Sequence, residues 1–198
     1  MALDVEHGNI TVEEAERLER ACHDSPDEVA HEPGCTEPWI SQLVSDLIVA
    51  HGAHTVLETG CFKGATSVWI VAALERLGGG TYIGIEIDES RRLDTRDRLA
   101  GIDSESVRAY LYNTDVLHYL RTTDDRFDLA WVDDCHEKPH VTKELMLLIP
   151  KMNKGGLILL HDVFGVCDLQ DVVAKFGGYS IDLPRLGPAG GIGIIQCR

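Results

Sequence analysis

At 198 residues and 44% hydrophobic content, the chain is long enough to bury one core and short for two. Its 33 Asp and Glu against 18 Lys and Arg give a formal charge of −15, which excludes phosphate backbones and anionic membrane surfaces as partners held by bulk electrostatics. A small or cationic ligand suits that field, although an acidic surface also serves plain solubility.

In chain order, Val12, Ala15, Leu18 and Ala21 recur at helical spacing from Thr11 to Cys22, and Thr11 with Glu14 has the form of a capping box. The polar stretch His23 to Gly34, punctuated by Pro26 and Pro33, reads as a connection or a lid. Thr36 is expected to cap a second helix with Pro38 in its first turn; Ile40, Leu43, Val44, Leu47 and Ile48 form its apolar face and Gly52 stops it. Strand-like runs then follow at Thr55 to Glu58, Thr81 to Ile87, Arg108 to Tyr112, Phe127 to Asp133 and Gly156 to His161, each separated by enough chain for a helix. Such β-α alternation predicts a doubly wound α/β fold on a mostly parallel sheet. The runs Tyr179 to Leu183 and Ile192 to Cys197 are too close for a helical crossover and should pair as an antiparallel hairpin, making seven strands. The expectation is one domain over residues 1–198, with 1–52 a helical addition to a core at 53–198.

Cys22, Cys35, Cys61, Cys135, Cys167 and Cys197 are scattered without a C-x-x-C pair, so free thiols are expected instead of a disulfide framework or a zinc site. No basic segment leads into an apolar run at the start, and no stretch approaches the ~20 apolar residues of a membrane span. A cytoplasmic location is the corresponding expectation.

The run Val56-Leu57-Glu58-Thr59-Gly60-Cys61-Phe62-Lys63-Gly64-Ala65-Thr66-Ser67 is a strand, a glycine turn and a helix, the place where an open α/β sheet binds ligands. Gly60 can take a positive φ and let backbone approach a ligand, and Gly64 lets the helix start close beside the strand. A dinucleotide site wants G-x-G-x-x-G and a P-loop wants Gly-Lys-Ser/Thr, and neither is present. An ordinary tight turn would use the same two glycines. Glu86, near the end of the next strand, can accept from both hydroxyls of a ribose. Asp115 can accept from an adenine amino group or cap the helix that follows.

In order and spacing, Glu58-x-Gly60-x-x-x-Gly64-x-x-Ser67, Ile85-Glu86-Ile87-Asp88, Asp115 and Trp131-Val132-Asp133 resemble the motifs of class I methyltransferases. More narrowly, they resemble the small O-methyltransferases related to catechol O-methyltransferase, over roughly Thr36 to Cys197. The resemblance implies S-adenosylmethionine as cofactor, with Glu58, Gly60 and Ser67 around its methionine part, Glu86 at the ribose and Asp115 near adenine; Gly64 and Asp133 complete the expected cofactor set.

Asp133-Asp134-Cys135-His136 and His161-Asp162 close two further strands and should reach the same crevice. Two carboxylates with a histidine make a candidate site for a divalent cation, Mg2+ or Mn2+; equally, Asp133 and Asp162 could cap the loops that follow. The resemblance implies Asp133 and Asp162 as metal ligands, with His161 where sugar O-methyltransferases of macrolide biosynthesis carry a glutamate. His136 stands where such enzymes carry a general base, and neutral imidazole can take a hydroxyl proton near pH 7. Val163 departs from the pattern, since the catechol enzymes place an asparagine ligand there. His140, four residues past His136, would share its face on a helix as a ligand, a substrate contact or a surface residue, the last being expected, and core packing is expected for both Trp39 and Trp131.

The function expected is metal-assisted O-methylation of a small hydroxylated molecule, with no nucleic-acid or membrane partner; the resemblance allows a homodimer. A metal-independent methyltransferase and a noncatalytic S-adenosylmethionine-binding module are the alternatives. Substrate walls are expected from the N-terminal helices, Glu137 to Thr142 and Arg185 to Gly191.

Overall fold

The structure, a computed structural model, describes residues 35–102, 105–165, 167–183 and 190–198. The helix expected over Thr11 to Cys22, the stretch to Gly34 and most of the Arg185 to Gly191 loop lie outside the described residues.

The described chain runs α1 (Pro38–His51), β1 (Thr55–Thr59), α2 (Ala65–Arg76), β2 (Gly80–Glu86), α3 (Glu89–Leu99), β3 (Val107–Asn113), α4 (Val116–Thr122), β4 (Phe127–Val132), α5 (Lys138–Leu148), β5 (Met152–Leu160), α6 (Gln170–Lys175), β6 (Tyr179–Ile181) and β7 (Ile192–Gln196). All seven strands share one sheet in the order β3-β2-β1-β4-β5-β7-β6. The first five pair in parallel, and β7 is antiparallel to both β5 and β6, so the expected closing hairpin is present with its second strand seated inside the sheet.

Strand alternation builds a core on each face of the sheet, because successive side chains point to opposite sides. Leu57, Ala130, Ile158 and Leu160 meet Leu120, Val141, Leu145 and Val173 on one side. Val56, Leu129, Trp131 and Leu159 meet Ile40, Val44, Ile48, Ile70 and Leu74 on the other. Trp131 is therefore core, as expected. Trp39 is 67% exposed, because it lies on α1 one residue before the buried stripe of Ile40, Val44 and Ile48.

Three local expectations change. Thr36 does not cap α1: Glu37 holds the N-cap position with Pro38 behind it, and the Thr36 hydroxyl is spent on Asp133. Strand β5 starts at Met152 and not Gly156, because a bulge carries its register from Phe127↔Met152 to Leu129↔Leu157. Strand β6 stops at Ile181, short of Leu183. Gly52 ends α1 in the left-handed conformation, as its position predicts. No disulfide joins the five described cysteines, and no described helix is long and apolar enough to cross a membrane.

Candidate active site

The chain enters the sheet at its centre, winds outward through β2 and β3, and returns to β4 beside β1. That reversal opens a crevice at the carboxyl ends of β1 and β4. A cleft of about 960 Å³ lies there, within the range of small-molecule sites (roughly 300–1,000 Å³). Glu58, Gly60, Glu86, Asp115, Asp133 and His136 all line it.

The glycine turn is built by close packing. Gly60 has φ 79°, and a Cβ there would stand 2.4 Å from the Asp133 carbonyl oxygen, so the β1 turn presses against the β4 turn without room for a side chain. Gly64 (φ 82°) abuts Thr95 of α3 in the same way. It and Ser67 do not line the cleft; they support it. The Ser67 hydroxyl donates to Glu58 at 2.6 Å, and the Tyr82 hydroxyl donates to the same carboxylate oxygen. Burial pushes the Glu58 carboxyl up to about 7, against the pull of those two hydroxyls and with added repulsion from Asp133.

Glu86 receives the backbone N–H groups of Phe62 (2.8 Å) and Asp88 (2.9 Å), one on each oxygen. Each oxygen keeps a second lone pair, so the carboxylate can still accept from a vicinal diol. Asp115 does cap α4, receiving the His118 N–H at 2.8 Å, and also faces the cleft, so both readings of that residue hold in the geometry.

The other half of the cleft is a clamp around His161. Its Nδ1 lies 2.9 Å from Asp133 and its Nε2 lies 3.0 Å from Glu37. Both ring nitrogens thus face carboxylates, and only the doubly protonated imidazolium donates to both. Burial opposes that charge, but the Asp133 carboxylate, the bonds to Asp133 and Glu37, and nearby Asp162 push the His161 pKa up to about 10. For Asp133, burial works against ionisation, yet the His161 charge, the neighbouring His136 and the bonds from His161 and Thr36 hold the carboxyl well below the usual range. His136 Nε2 stands 3.4 Å from Asp133, and the His136 and His161 rings meet edge-on at 6.3 Å. Burial works against charge on His136 too, but Asp133 and Asp162 raise its pKa above the ordinary 6.5.

A family model described as a methyltransferase domain matches residues 57–163, more than half of the chain. The chain belongs to the methyltransferase-domain family. A Mycolicibacterium vanbaalenii protein provisionally named an O-methyltransferase is 27% identical over 130 residues, which are 65% of this chain and 55% of that protein. A counterpart with the same provisional name from Mycobacterium marinum is 28% identical over 129 residues, 65% of this chain and 56% of its own. The methyltransferase domain thus spans little more than half the length of these curated relatives. Among solved structures, cofactor-bound Rv0187 from MTB superposes with a TM-score of 0.75 at 18% identity, covering 96% of this chain and 93% of that one. The O-methyltransferase TomG from Streptomyces achromogenes, involved in tomaymycin synthesis and solved in complex with SAM, gives 0.64 at 21%, covering 91% and 86%. At those identities the likeness establishes the fold.

Within this domain the residues expected to hold a metal are not assembled as one set. The ligating atoms that do gather within 4.8 Å belong to Asp133, His136 and His161, while Asp162 stands outside, in the left-handed conformation (φ 49°), with its carboxylate 3.7 Å from His161 Nε2. Asp133 already accepts from His161 and Thr36, His161 offers no lone pair while it donates to both neighbours, and buried Val163 offers no oxygen. As they stand, Asp133 and His161 are bonded to each other and to Thr36 and Glu37, so a divalent cation at Asp133, His136 and His161 would have to displace those bonds.

Sequence reading missed Thr36 and Glu37, which approach from 97 and 124 residues away in the chain and carry no motif of their own. It also placed His140 at the surface, whereas that ring is half-buried and bonded to Asp134 at 2.8 Å.

Proposed function

We propose that this domain transfers a methyl group from S-adenosylmethionine to a hydroxyl of a small molecule, with His136 as the base and the Glu37–His161–Asp133 clamp in place of a metal ion. The observation that carries this reading is His136 beside Asp133, in one cleft with the Gly60 turn, Glu86 and Asp115. Glu58, Gly60, Glu86, Asp115 and Asp133 would border the cofactor, with Gly64 and Ser67 holding that wall from behind. When bound, the cofactor supplies an electrophilic methyl on a positively charged sulfur and leaves as a neutral thioether.

The protein's part is alignment and proton removal. Nε2 of His136 is buried and faces Asp133, which leaves Nδ1 to take the hydroxyl proton as the oxygen–carbon bond forms and the sulfur–carbon bond breaks. Asp133, fixed by His161 and Thr36, orients the ring and stabilises the imidazolium that forms. The acidic cleft also suits a cationic cofactor.

The test is turnover against a library of hydroxylated small molecules. His136→Ala should bind S-adenosylhomocysteine as the wild type does and lose turnover by ~10²-fold or more. Wild-type turnover should persist in chelator. Strict dependence on added Mg2+ or Mn2+, abolished in Asp162→Asn, would return a metal to Asp133 and Asp162. Tight S-adenosylmethionine binding with no turnover on any substrate would favour a binding module instead.

A further inference from the structure

A second cluster lies on the Asp115 side of the cleft. His140 and Glu144, one helical turn apart on α5, share a face with Asp134 from the loop before that helix. His140 Nε2 is 2.8 Å from Asp134 and 3.9 Å from Glu144, and ligating atoms of all three lie within 4.8 Å of one another. Glu144 is 0% exposed; its carboxylate has the Thr59 hydroxyl and Asp134 as neighbours, but neither of its oxygens has a donor at hydrogen-bond geometry. Asp134 Oδ1 is buried without a donor as well. Among the described residues, neither carboxylate is paired with a lysine or arginine.

Three buried acceptor atoms on two acidic side chains call for a proton, a donor or a cation. His140 answers one oxygen of Asp134. A proton shared between the two carboxyls, with the buried Thr59 hydroxyl donating to Glu144, is the competing arrangement, and Mn2+ titration separates it from a bound cation. The way in is open, because Asp134 and His140 both line the cleft.

We propose that Asp134, His140 and Glu144 form a divalent-cation site separate from Asp133. Two carboxylates and one imidazole leave coordination positions for water and suit Mn2+, Fe2+ or Zn2+ better than Mg2+ or Ca2+. His140 would then ligate through neutral Nε2, giving up its hydrogen bond to Asp134 as both turn to the ion. The site is independent of the methyl-transfer reading and ties α5 to the β4 turn that borders the cleft.

The experiment is Mn2+ titration of the chelator-treated, full-length chain, with unbound Mn2+ counted by its electron paramagnetic resonance signal. Expected is one ion per chain, retained in Asp162→Asn and weakened ~10–100-fold or more in Glu144→Gln and in His140→Ala. Glu144→Gln keeps the shape of the side chain, and His140→Ala, at a half-buried position, serves if it fails to fold. Absence of Mn2+ uptake, together with an infrared band of a protonated carboxyl that vanishes in Glu144→Gln, overturns the proposal in favour of a shared proton. Uptake that is lost in Asp162→Asn but kept in Glu144→Gln overturns it in favour of the Asp133 cluster.

Discussion

Replacing Glu58 by Gln should move relative stability increasingly in favour of the variant as pH rises. In the native state the carboxyl is fully buried and its pKa stands at about 7, against an ordinary 4.5. A folded pKa above the unfolded one means that the native state holds the proton more tightly. The stabilisation from that proton is complete below pH 4.5 and is lost as pH climbs through 7. At about 1.4 kcal/mol for each tenfold change in proton affinity, the full loss is about 3 kcal/mol, of which about 2 kcal/mol falls between pH 5.5 and 8. Glutamine keeps the shape and can accept from Ser67 and Tyr82, but carries no proton equilibrium. Urea unfolding of both proteins at pH 5.5 and 8 should therefore show the difference moving by about 2 kcal/mol in favour of the variant. A difference that stays constant to within a few tenths of a kcal/mol across this range would refute the account of Glu58. The same group should couple to the cofactor: a cation bound beside Glu58 favours its ionised form, so wild-type binding near pH 6.5 should release protons, seen calorimetrically in buffers of different ionisation enthalpy, and Glu58→Gln should release fewer.

Other outcomes follow from the clamp and the turn. Turnover should rise with pH through a midpoint above 6.5, because Asp133 and Asp162 raise the His136 pKa and only the neutral ring can take a proton; that limb should vanish in His136→Ala. His161→Ala leaves Glu37 and Asp133 facing each other across a buried gap and should cost about 3–5 kcal/mol in urea unfolding, with part recovered on adding Glu37→Gln. Gly60→Ala forces a Cβ to within 2.4 Å of a backbone oxygen at a positive φ, and should cost at least ~2 kcal/mol and abolish the thermal shift produced by S-adenosylhomocysteine.

How much of this was legible in the sequence depended on how far apart the interacting residues lie. The strands were readable because alternation and β-branched runs are local, and the closing antiparallel pair followed from a connection too short for a helical crossover. The Gly60 turn and the acids at Glu58, Glu86, Asp115 and Asp133 were readable because each ends its own strand and so must reach the crevice. Their detailed roles were less so. Ser67 was expected at the cofactor but serves Glu58 from the helix behind it, and Tyr82, its partner on that carboxylate, sits mid-strand where an aromatic residue reads only as core. The β5 bulge was hidden because Asn153-Lys154-Gly155-Gly156 reads as a turn before a strand, whereas the chain pairs on both sides of it.

The metal expectation turned on one pair of residues that sequence could not join. His161 alone is an adequate ligand, and Asp133 alone is another; Glu37 decides what they become. With a second carboxylate facing Nε2, an imidazolium donates to both, and in the proposed function that charge between Asp133 and Glu37 takes the place of a metal ion. The clamp also pins the first turn of α1 to the ends of β4 and β5, since Thr36 and Glu37 reach the same two residues. The entry of the chain into its first described helix is thereby part of the active-site wall. A charge change at Asp133 or His161 therefore acts on the position of residues 35–37 as well as on His136, so substitutions on either side of the clamp should be coupled in stability and turnover alike.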